Sequence, residues 1–435
     1  MKTKKIWLNS QDGLLIAFIV GLTLLLVVRD IMAVSISKYI FLAYVALFLA
    51  VAKYETMVNM LCFVFPLVCG LPGTYIMPIA LVLLVIKRKK INLWQLGLIV
   101  FVAFMELVAC FWYPTVDIPL IVQYVSFAGT MFFMIHDDSE IDYLKCVRLF
   151  FWGTSVLCIV IMIAGFITAP TNWLEQFAEG QFRFGNTQAD AFEGMKLTLN
   201  ANALAYYSVV GMACGIFIAD AVKKAWTRFI YVVFTVLCSL AGFLTISRSW
   251  LLVTIFCLLF YLITKMKTLR GILVAVAVFA VLTIAVSLFV ESNPVLAQGF
   301  ITRFTDDTIQ GGNGRTEIMI KHMDQFLQSP RQIFMGTGVT QASAITGIKE
   351  ALHNGTQQIL VNYGFLGFVV FMIGLIKPFI DTRKIKTKKG MACGLIPAFA
   401  AILFVQTIQF LNPMMQMLPY VAGVFAFKAC GNGSE

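Results

Sequence analysis

Long apolar runs with at most one charged residue each constrain this chain more than any other feature of its sequence. The segments 13–28, 93–112 and 147–169 are examples, and polar or charged residues follow each of them. Runs of this length cross a bilayer as helices, because the backbone inside lipid must satisfy its own hydrogen bonds. The alternation at every second residue that is typical of a membrane β-barrel is not present.

Composition agrees with this interpretation. Hydrophobic residues make up 60% of the 435 residues and charged residues 13%, whereas soluble domains are about half apolar and a quarter charged. Most of the surface of such a chain must therefore face lipid. We expect an all-α polytopic membrane protein with about 14 (12–14) transmembrane helices and a large, partly helical extracytoplasmic loop.

The apolar runs define the predicted spans and the loops between them. The spans are residues 13–28, 32–52, 56–70, 74–86, 93–112, 118–135, 147–169, 199–219, 228–246, 249–264, 271–290, 355–376, 391–410 and 413–428. The third and fourth could instead form one re-entrant hairpin. The chain then divides into N-terminal helices (1–170), an extracytoplasmic loop (171–198), central helices (199–290), the large extracytoplasmic loop (291–354) and C-terminal helices (355–435).

The basic residues predict the orientation of these helices. With both termini in the cytoplasm, the short cytoplasmic connections carry the basic clusters at 87–90 and 383–389, as the positive-inside rule requires. The first apolar run lacks a small-residue cleavage site, so we interpret it as a retained span and not as a signal peptide. The formal net charge of +11 follows from this topology, and nucleic-acid binding is not needed to explain it.

Several kinds of site are not indicated. The ten cysteines lie in or beside apolar runs without a Cys-x-x-Cys pair, so neither a disulfide framework nor a zinc site is expected. The predicted outer loops contain no Asp-x-Asp pair, and no Gly-x-x-x-x-Gly-Lys phosphate loop occurs in the chain. We therefore expect no metal and no cofactor.

The large loop is expected to fold as a cap. Its acidic and basic residues balance, and the apolar positions between 315 and 327 predict an amphipathic helix that contains His322 and is ended by Pro330. His353 follows at the point where the chain re-enters the membrane, and a neutral imidazole is the usual general base near neutral pH.

Two further features lie within predicted spans. Gly364 and Gly367, which follow His353-Asn354 after nine intervening residues, would let their helix pack closely against a neighbour. Glu106 lies inside the predicted span 93–112, where an ionisable group is either functional or a structural hydrogen-bond partner.

The His-Asn-x9-Gly-x2-Gly stretch at 353–367 resembles the signature of the O-antigen ligase and Wzy-type polysaccharide polymerase family. Three other stretches agree with it. The run 246–249 (Ile-Ser-Arg-Ser) is similar to its Ser-Arg element, and Gly314-Arg315, Pro330 and the run 334–338 are similar to its Gly-Arg … Pro … Gly-x-Gly element.

The last matching stretch precedes the others in the chain. Arg183-Phe184-Gly185 with the run 199–205 (Leu-Asn-Ala-Asn-Ala-Leu-Ala) resembles the family's Arg-x-x-Gly … Asn-Pro-Asn-x-Leu-Ala. Ala201 replaces the usual proline, and the insert between the two parts is long. The resemblance covers about 183–376, the C-terminal half of the chain.

The resemblance implies a glycosyltransferase of the bacterial cytoplasmic (inner) membrane. It would move a glycan from undecaprenyl diphosphate to an acceptor sugar on the outer face, with inversion and without a nucleotide sugar or a metal. The expected partners are the lipid-linked donor, the glycan acceptor, the bilayer, a flippase and a chain-length regulator.

The resemblance also implies roles for individual residues. Arginine forks suit phosphate oxygens, so the diphosphate would be held by Arg248, Arg315 and Arg183, with Arg303 in reserve. His353 would be the catalytic base, and the supporting motif residues would be Asn202, Asn354, Gly364 and Gly367. Pairing with nearby acidic residues, or with lipid headgroups, is the other interpretation of the outer arginines.

Three functions stay open. Polymerisation of surface or capsular polysaccharide repeat units is favoured, because a ligase is needed only where a specialised terminal acceptor exists. Ligase-type transfer to such an acceptor is the alternative. A lipid-linked oligosaccharide flippase or a transporter belongs to another class, but these would show related halves or charged mid-membrane helices.

Overall fold

The computed structural model describes most of the chain. The described residues are 10–112, 116–137, 141–179, 183–185, 197, 199–266, 273, 284, 287–288, 290–294, 297–298, 315–383, 391–411 and 414–431. Throughout these residues the regular structure is helical, and no strand occurs among them.

The main helices of the described residues are numbered here in chain order. They are α1 (Ser10–Asp30), α2 (Lys38–Val51), α3 (Tyr54–Val64), α4 (Gly73–Lys87), α5 (Leu93–Cys110), α6 (Ile118–Ile135), α7 (Tyr143–Thr168), α8 (Trp173–Ala178), α9 (Ala201–Ala221), α10 (Ala225–Phe243), α11 (Arg248–Lys265), α12 (Arg315–Leu327), α13 (Pro330–Met335), α14 (Ala342–Thr346), α15 (Gly355–Arg383), α16 (Met391–Val405) and α17 (Leu418–Gly431). Short 3-10 helices occur at Phe65–Gly70 and Met414–Met417.

Seven of the described helices are long and apolar enough to cross a membrane: α1, α5, α6, α7, α9, α10 and the Gly355–Thr382 part of α15. Shorter apolar helices lie at Lys38–Val51, Tyr54–Gly70, Gly73–Lys87, Arg248–Thr264 and Gly394–Val405. The predicted all-helical membrane architecture is thus confirmed. The count of about 14 spans stays a prediction, and the predicted span 271–290 lies largely outside the described residues.

The helix α9 is the centre of the bundle. Of its most apolar window, 89% is buried inside the protein, against 22% for α1 and for α10, so the latter two face the surroundings. Small residues permit this central position, because a Cβ on Gly211 would lie 2.5 Å from Thr154 Cγ2 of α7. Small residues of this kind let membrane helices approach closely.

A buried polar cluster closes the end of the bundle that the loop charges predict to be cytoplasmic. Arg88 Nη2 lies 3.1 Å from Asp137 Oδ1, and the Tyr54 hydroxyl donates to Asp137 Oδ2. Lys428 Nζ donates to the Asp137 carbonyl at 2.8 Å, as does the Tyr143 hydroxyl. These contacts hold the ends of five helices together.

The helix α15 connects this end to the opposite one. The ring of His136, next to Asp137, is hydrogen-bonded through Nε2 to the Gly374 carbonyl at 2.7 Å. His353 precedes the first residue of α15, and the rise of a helix puts it about 30 Å away along the bundle. The two histidines therefore mark opposite ends of the protein.

The helices α12, α13 and α14 form a cap over the His353 end. The helix α12 spans Arg315–Leu327, the stretch predicted to be an amphipathic helix, but Pro330 is not the residue at its end. Pro330 instead begins α13, a position that suits its fixed φ and missing N–H. The Gln357 side chain of α15 donates to the Met319 carbonyl at 3.0 Å and ties α12 to the bundle.

Two backbone segments cross at close range where the cap meets α15. Gly364 has φ +64 and ψ −175, so it interrupts the helix, and a Cβ there would lie 2.5 Å from Met335 N. Gly336 has φ +71, and Gly338 N–H donates to the Asn362 carbonyl at 2.7 Å. The close approach that the sequence indicated for Gly364 thus comes with a break in the helix that the sequence did not predict.

Candidate active site

The segment 183–185 enters the site beside the start of α9. Phe184 N–H donates to the Leu244 carbonyl at 3.2 Å, which joins the segment to the end of α10. Gly185 has φ +130, and a Cβ there would lie 2.7 Å from the backbone of Ala201. Only glycine fits this crossing, so the local backbone fixes where Arg183 lies.

The start of α9 is a capped helix terminus. Asn200 Oδ1 accepts a hydrogen bond from Asn202 N–H at 2.9 Å, as an N-cap residue does. Ala201, where the family pattern has proline, is the first residue of the helix. Proline and alanine both suit this position, so the departure leaves the local fold of the motif unchanged.

The turn between α10 and α11 presents Arg248. Ile246 has φ +47, which is uncommon for a β-branched residue and costs about 1–3 kcal/mol of local strain. Ser247 then caps α11 by accepting from Trp250 N–H at 3.5 Å, and its Oγ lies 3.4 Å from Asn202 Oδ1. Arg248 therefore begins α11 immediately next to the capped start of α9.

His353 lies immediately before the N-terminus of α15. Asn354 Oδ1 accepts from Gln357 N–H at 3.0 Å, which is the geometry of an N-cap. Gly355 is packed against the Val405 backbone, because a Cβ on it would lie 2.7 Å from that carbonyl oxygen. His353 is half-buried on this rigid terminus.

Electrostatic interactions link Arg248 to Arg183 and to Arg315, and Arg315 to His353. Burial and the positive charge of Arg248 lower the pKa of Arg183 and also the pKa of Arg315. Burial and the charge of Arg315 lower the pKa of His353 below its ordinary value. All three shifts have the direction expected where cations repel one another. We call Arg183, Arg248 and Arg315 the arginine cluster.

Residues 233–372 match the family model described as O-antigen ligase. This part of the chain is similar to the O-antigen ligase family. A search of curated proteins gives no match to the chain. The resemblance read from the sequence motifs is therefore confirmed over the part of the chain that holds Arg248, Arg315 and His353. Arg183 and Asn202 precede the matched region but lie against it, through the contacts of Phe184 and Ser247 described above.

The structure gives the two predicted glycines, Gly364 and Gly367, a role in backbone packing. Arg303 lies outside the described residues, so its position stays a prediction. Gly364 and Gly367 shape the backbone behind the site and do not line it, since a Cβ on Gly367 would meet Tyr363 Cβ at 2.6 Å. Arg331, another arginine of the predicted large loop, has its guanidinium carbon 3.8 Å from the centroid of the Trp112 ring.

Glu106 has a role that sequence reasoning left open. Its buried carboxylate accepts from Val339 N–H at 2.8 Å and from Thr340 N–H at 3.0 Å. It therefore anchors the segment that follows the Gly336-x-Gly338 turn. In the sequence, the only indication that Glu106 is important was the unusual position of an acidic residue within an apolar run.

A small polar cavity lies between the cap and α15, and its lining includes Leu352, the residue that precedes His353 in the chain. Its volume is about 170 Å³, and its lining includes His322, Glu350 and Asn362. The His322 ring is held by a hydrogen bond from Nε2 to the Glu350 carbonyl at 3.0 Å. Among the described residues, no group of three or more His, Cys, Asp or Glu side chains is placed to hold a metal. The predicted absence of a metal stays a prediction.

Proposed function

We propose that this protein is a membrane glycosyltransferase that moves a glycan from undecaprenyl diphosphate to an acceptor sugar on the outer face. The similarity to the O-antigen ligase family supports the reaction class. The single observation that carries the proposal is the arginine cluster beside His353, at one end of an apolar bundle. A lipid-diphosphate donor needs cations and a base in this arrangement, close to the bilayer surface.

The reaction forms one bond and breaks one. The acceptor hydroxyl oxygen bonds to the anomeric carbon, while the bond between that carbon and the phosphate oxygen breaks and its electrons stay on undecaprenyl diphosphate. The hydroxyl proton passes to His353. Direct displacement of this kind inverts the anomeric centre.

The arginine cluster stabilises the leaving group. Negative charge grows on the bridging oxygen as the glycosidic bond breaks, and guanidinium groups offer paired N–H donors to phosphate oxygens. The positive charge of Arg248 disfavours the neighbouring charges of Arg183 and Arg315. Binding of the diphosphate relieves that repulsion, so the site is electrostatically suited to a dianionic donor.

His353 is suited to accept the proton. Its half-buried position and the nearby charge of Arg315 lower its pKa, so the imidazole is neutral at physiological pH. The small polar cavity between the cap and α15 offers side chains that hydrogen-bond to sugar hydroxyls, which supports a glycan as the acceptor.

We propose polymerisation of repeat units as the biological reaction, with ligation to a terminal acceptor as the alternative. Both use the same donor chemistry. A flippase or transporter is disfavoured, because the charged candidates gather at one end of the bundle and the buried Glu106 is already engaged by the backbone of Val339 and Thr340.

Glycan length in cells tests the proposal. A host lacking the gene is complemented with the wild type or with His353→Ala, and carrier-linked glycans are separated by length. We expect the wild type to restore a ladder of polymers, and His353→Ala to leave single carrier-linked repeat units. The variant His136→Gln is the matched control, because His136 lies at the opposite end of the bundle and glutamine can still donate to the Gly374 carbonyl.

Other results would change the assignment. Long carrier-linked chains that never reach a final acceptor would identify a ligase. A normal ladder from His353→Ala would remove His353 from the mechanism. Repeat units that stay on the cytoplasmic side of the membrane in the deletion strain would identify a flippase.

A further inference from the structure

A second cation-lined cavity lies at the end of the bundle opposite the arginine cluster. Its volume is about 400 Å³, and it lies between the start of α7, the end of α9 and the start of α10. The length of α9 separates it from Asn202 by about 30 Å. It is therefore distinct from the proposed active site and lies on the predicted cytoplasmic side.

Three basic residues line this cavity: Arg148 of α7 and the consecutive Lys223 and Lys224. The other described residues in its wall are apolar or hydroxyl-bearing, such as Leu144, Thr227 and Tyr231, and none of them is acidic. Arg148 Nε is buried and has no hydrogen-bond partner among the described residues. A buried donor without a partner is costly, so it marks a place for an acceptor.

The connection that carries the two lysines is held in place. Arg228 donates to the Val222 carbonyl through Nη2 at 2.8 Å and through Nε at 3.3 Å. Val222 N–H in turn donates to the Ile218 carbonyl at 3.0 Å, at the end of α9. Lys223 and Lys224 are thus presented on an ordered turn.

The surroundings of the cavity indicate lipid. The helix α10 is mostly unburied, and its first turns expose Trp226 (73%) and Phe229 (56%), which stack at 5.6 Å between ring centroids. Exposed aromatic residues at the end of an apolar helix are typical of the membrane interface. Thr227 and Tyr231 lie on the face of α10 that lines the cavity. The cavity therefore opens at headgroup level.

We propose that this cavity binds the phosphate of an anionic phospholipid headgroup in the leaflet on that side. The phosphate would accept hydrogen bonds from Arg148, Lys223 and Lys224, and the acyl chains would lie along the apolar face of α10. Basic pockets between membrane helices bind such headgroups. A cavity of this size also lies within the range of ligand sites in proteins.

Lipid affinity of the purified full-length protein tests this proposal. Phosphatidylglycerol and phosphatidylcholine are titrated separately into the delipidated protein, and bound lipid is measured by native mass spectrometry. We expect preference for phosphatidylglycerol. Lys223→Gln with Lys224→Gln should weaken it by roughly fivefold per lysine, and Arg148→Gln by at least as much.

The matched control is Lys89→Gln with Lys90→Gln, which removes the same charge from exposed positions away from the cavity. Lys223 and Lys224 are themselves exposed, so their variant should fold normally, which the melting temperature checks. Equal affinity for both lipids, or equal loss in the control, would overturn the proposal.

A soluble competitor distinguishes a phospholipid headgroup from a free phosphate ester as the ligand of this cavity. Glycerol phosphate should displace phosphatidylglycerol only at concentrations far above those of the lipid, because it lacks the acyl chains that contact α10. If glycerol phosphate binds as tightly as the whole lipid, the cavity is a site for a free phosphate ester and the lipid assignment is overturned.

Discussion

Thr340 donates two hydrogen bonds to one carboxylate oxygen of Glu106. The backbone N–H lies 3.0 Å from Oε2 and the side-chain hydroxyl 2.7 Å from it. The other oxygen, Oε1, accepts from Val339 N–H at 2.8 Å. A single buried acid in α5 thus satisfies the backbone of a cap segment far away in sequence, and this segment leads from the Gly-x-Gly turn towards α14.

Glu106→Ala should therefore destabilise the protein without being a catalytic variant. It leaves the Val339 and Thr340 N–H groups without their acceptor, and each unsatisfied buried group costs about 1–3 kcal/mol. We expect a free energy of unfolding lower by roughly 2–6 kcal/mol, measured by thermal unfolding in detergent. Thr340→Ser keeps both bonds and is the control. An unchanged melting temperature together with lost activity would instead place Glu106 in the chemistry.

The contact between Glu106 and Thr340 could not be predicted from the sequence, whereas the helices could. Helices were predictable because apolar runs have clear limits: the predicted span 118–135 coincides with α6, which Asp117 caps. Neither periodicity nor composition indicates that Glu106 meets Thr340, 234 positions later. Such a contact depends on how distant helices pack together, and the residues around Glu106 in the sequence do not indicate it.

The candidate site was predictable in its residue types but not in its arrangement. Arg183, Arg248 and His353 were identified by resemblance to motifs. The positions of Arg183 and Arg248 beside the start of α9 depend on two crossings, Gly185 against Ala201 and Ser247 beside Asn202. These crossings join separate parts of the chain. Gly364 shows a related limit, because a glycine can signal close packing, positive φ or both.

Gly364→Ala should prevent normal folding of the cap. The backbone there has φ +64, which residues other than glycine rarely adopt, and the new Cβ would lie 2.5 Å from Met335 N. Met335 N is a backbone atom, so it cannot easily move away. We expect a lower melting temperature and faster proteolysis of the cap. Gly97→Ala in α5 is the matched control, because nothing lies within 4 Å of its Cβ and alanine favours helix. Equal stability of the two variants would contradict the close crossing.

The acid limb of the pH–rate profile should report His353 and its neighbour Arg315. As a base, His353 is active when neutral, so activity falls as the pH drops through its pKa, which burial and Arg315 hold below the ordinary value. Arg315→Gln removes the repulsion, the pKa of His353 rises, and the limb should move to higher pH. Arg315→Lys keeps the charge and should leave the limb in place. An acid limb that does not move in Arg315→Gln would show that Arg315 does not influence the pKa of the group that the limb reports.

Removal of one arginine from the cluster should slow transfer with little effect on folding. Arg248→Gln takes away a cation that we propose faces the leaving diphosphate, and loss of one such transition-state contact costs roughly 10²–10³ in rate. The rate is measured with the purified protein and a lipid-diphosphate-linked repeat unit. Arg331→Gln is the control, because that guanidinium lies over Trp112 and should change the rate little. Arg248→Lys should recover only part of the rate, since an ammonium lacks the paired donors of a guanidinium. Equal rates for Arg248→Gln and Arg331→Gln would show that the cluster does not hold the diphosphate.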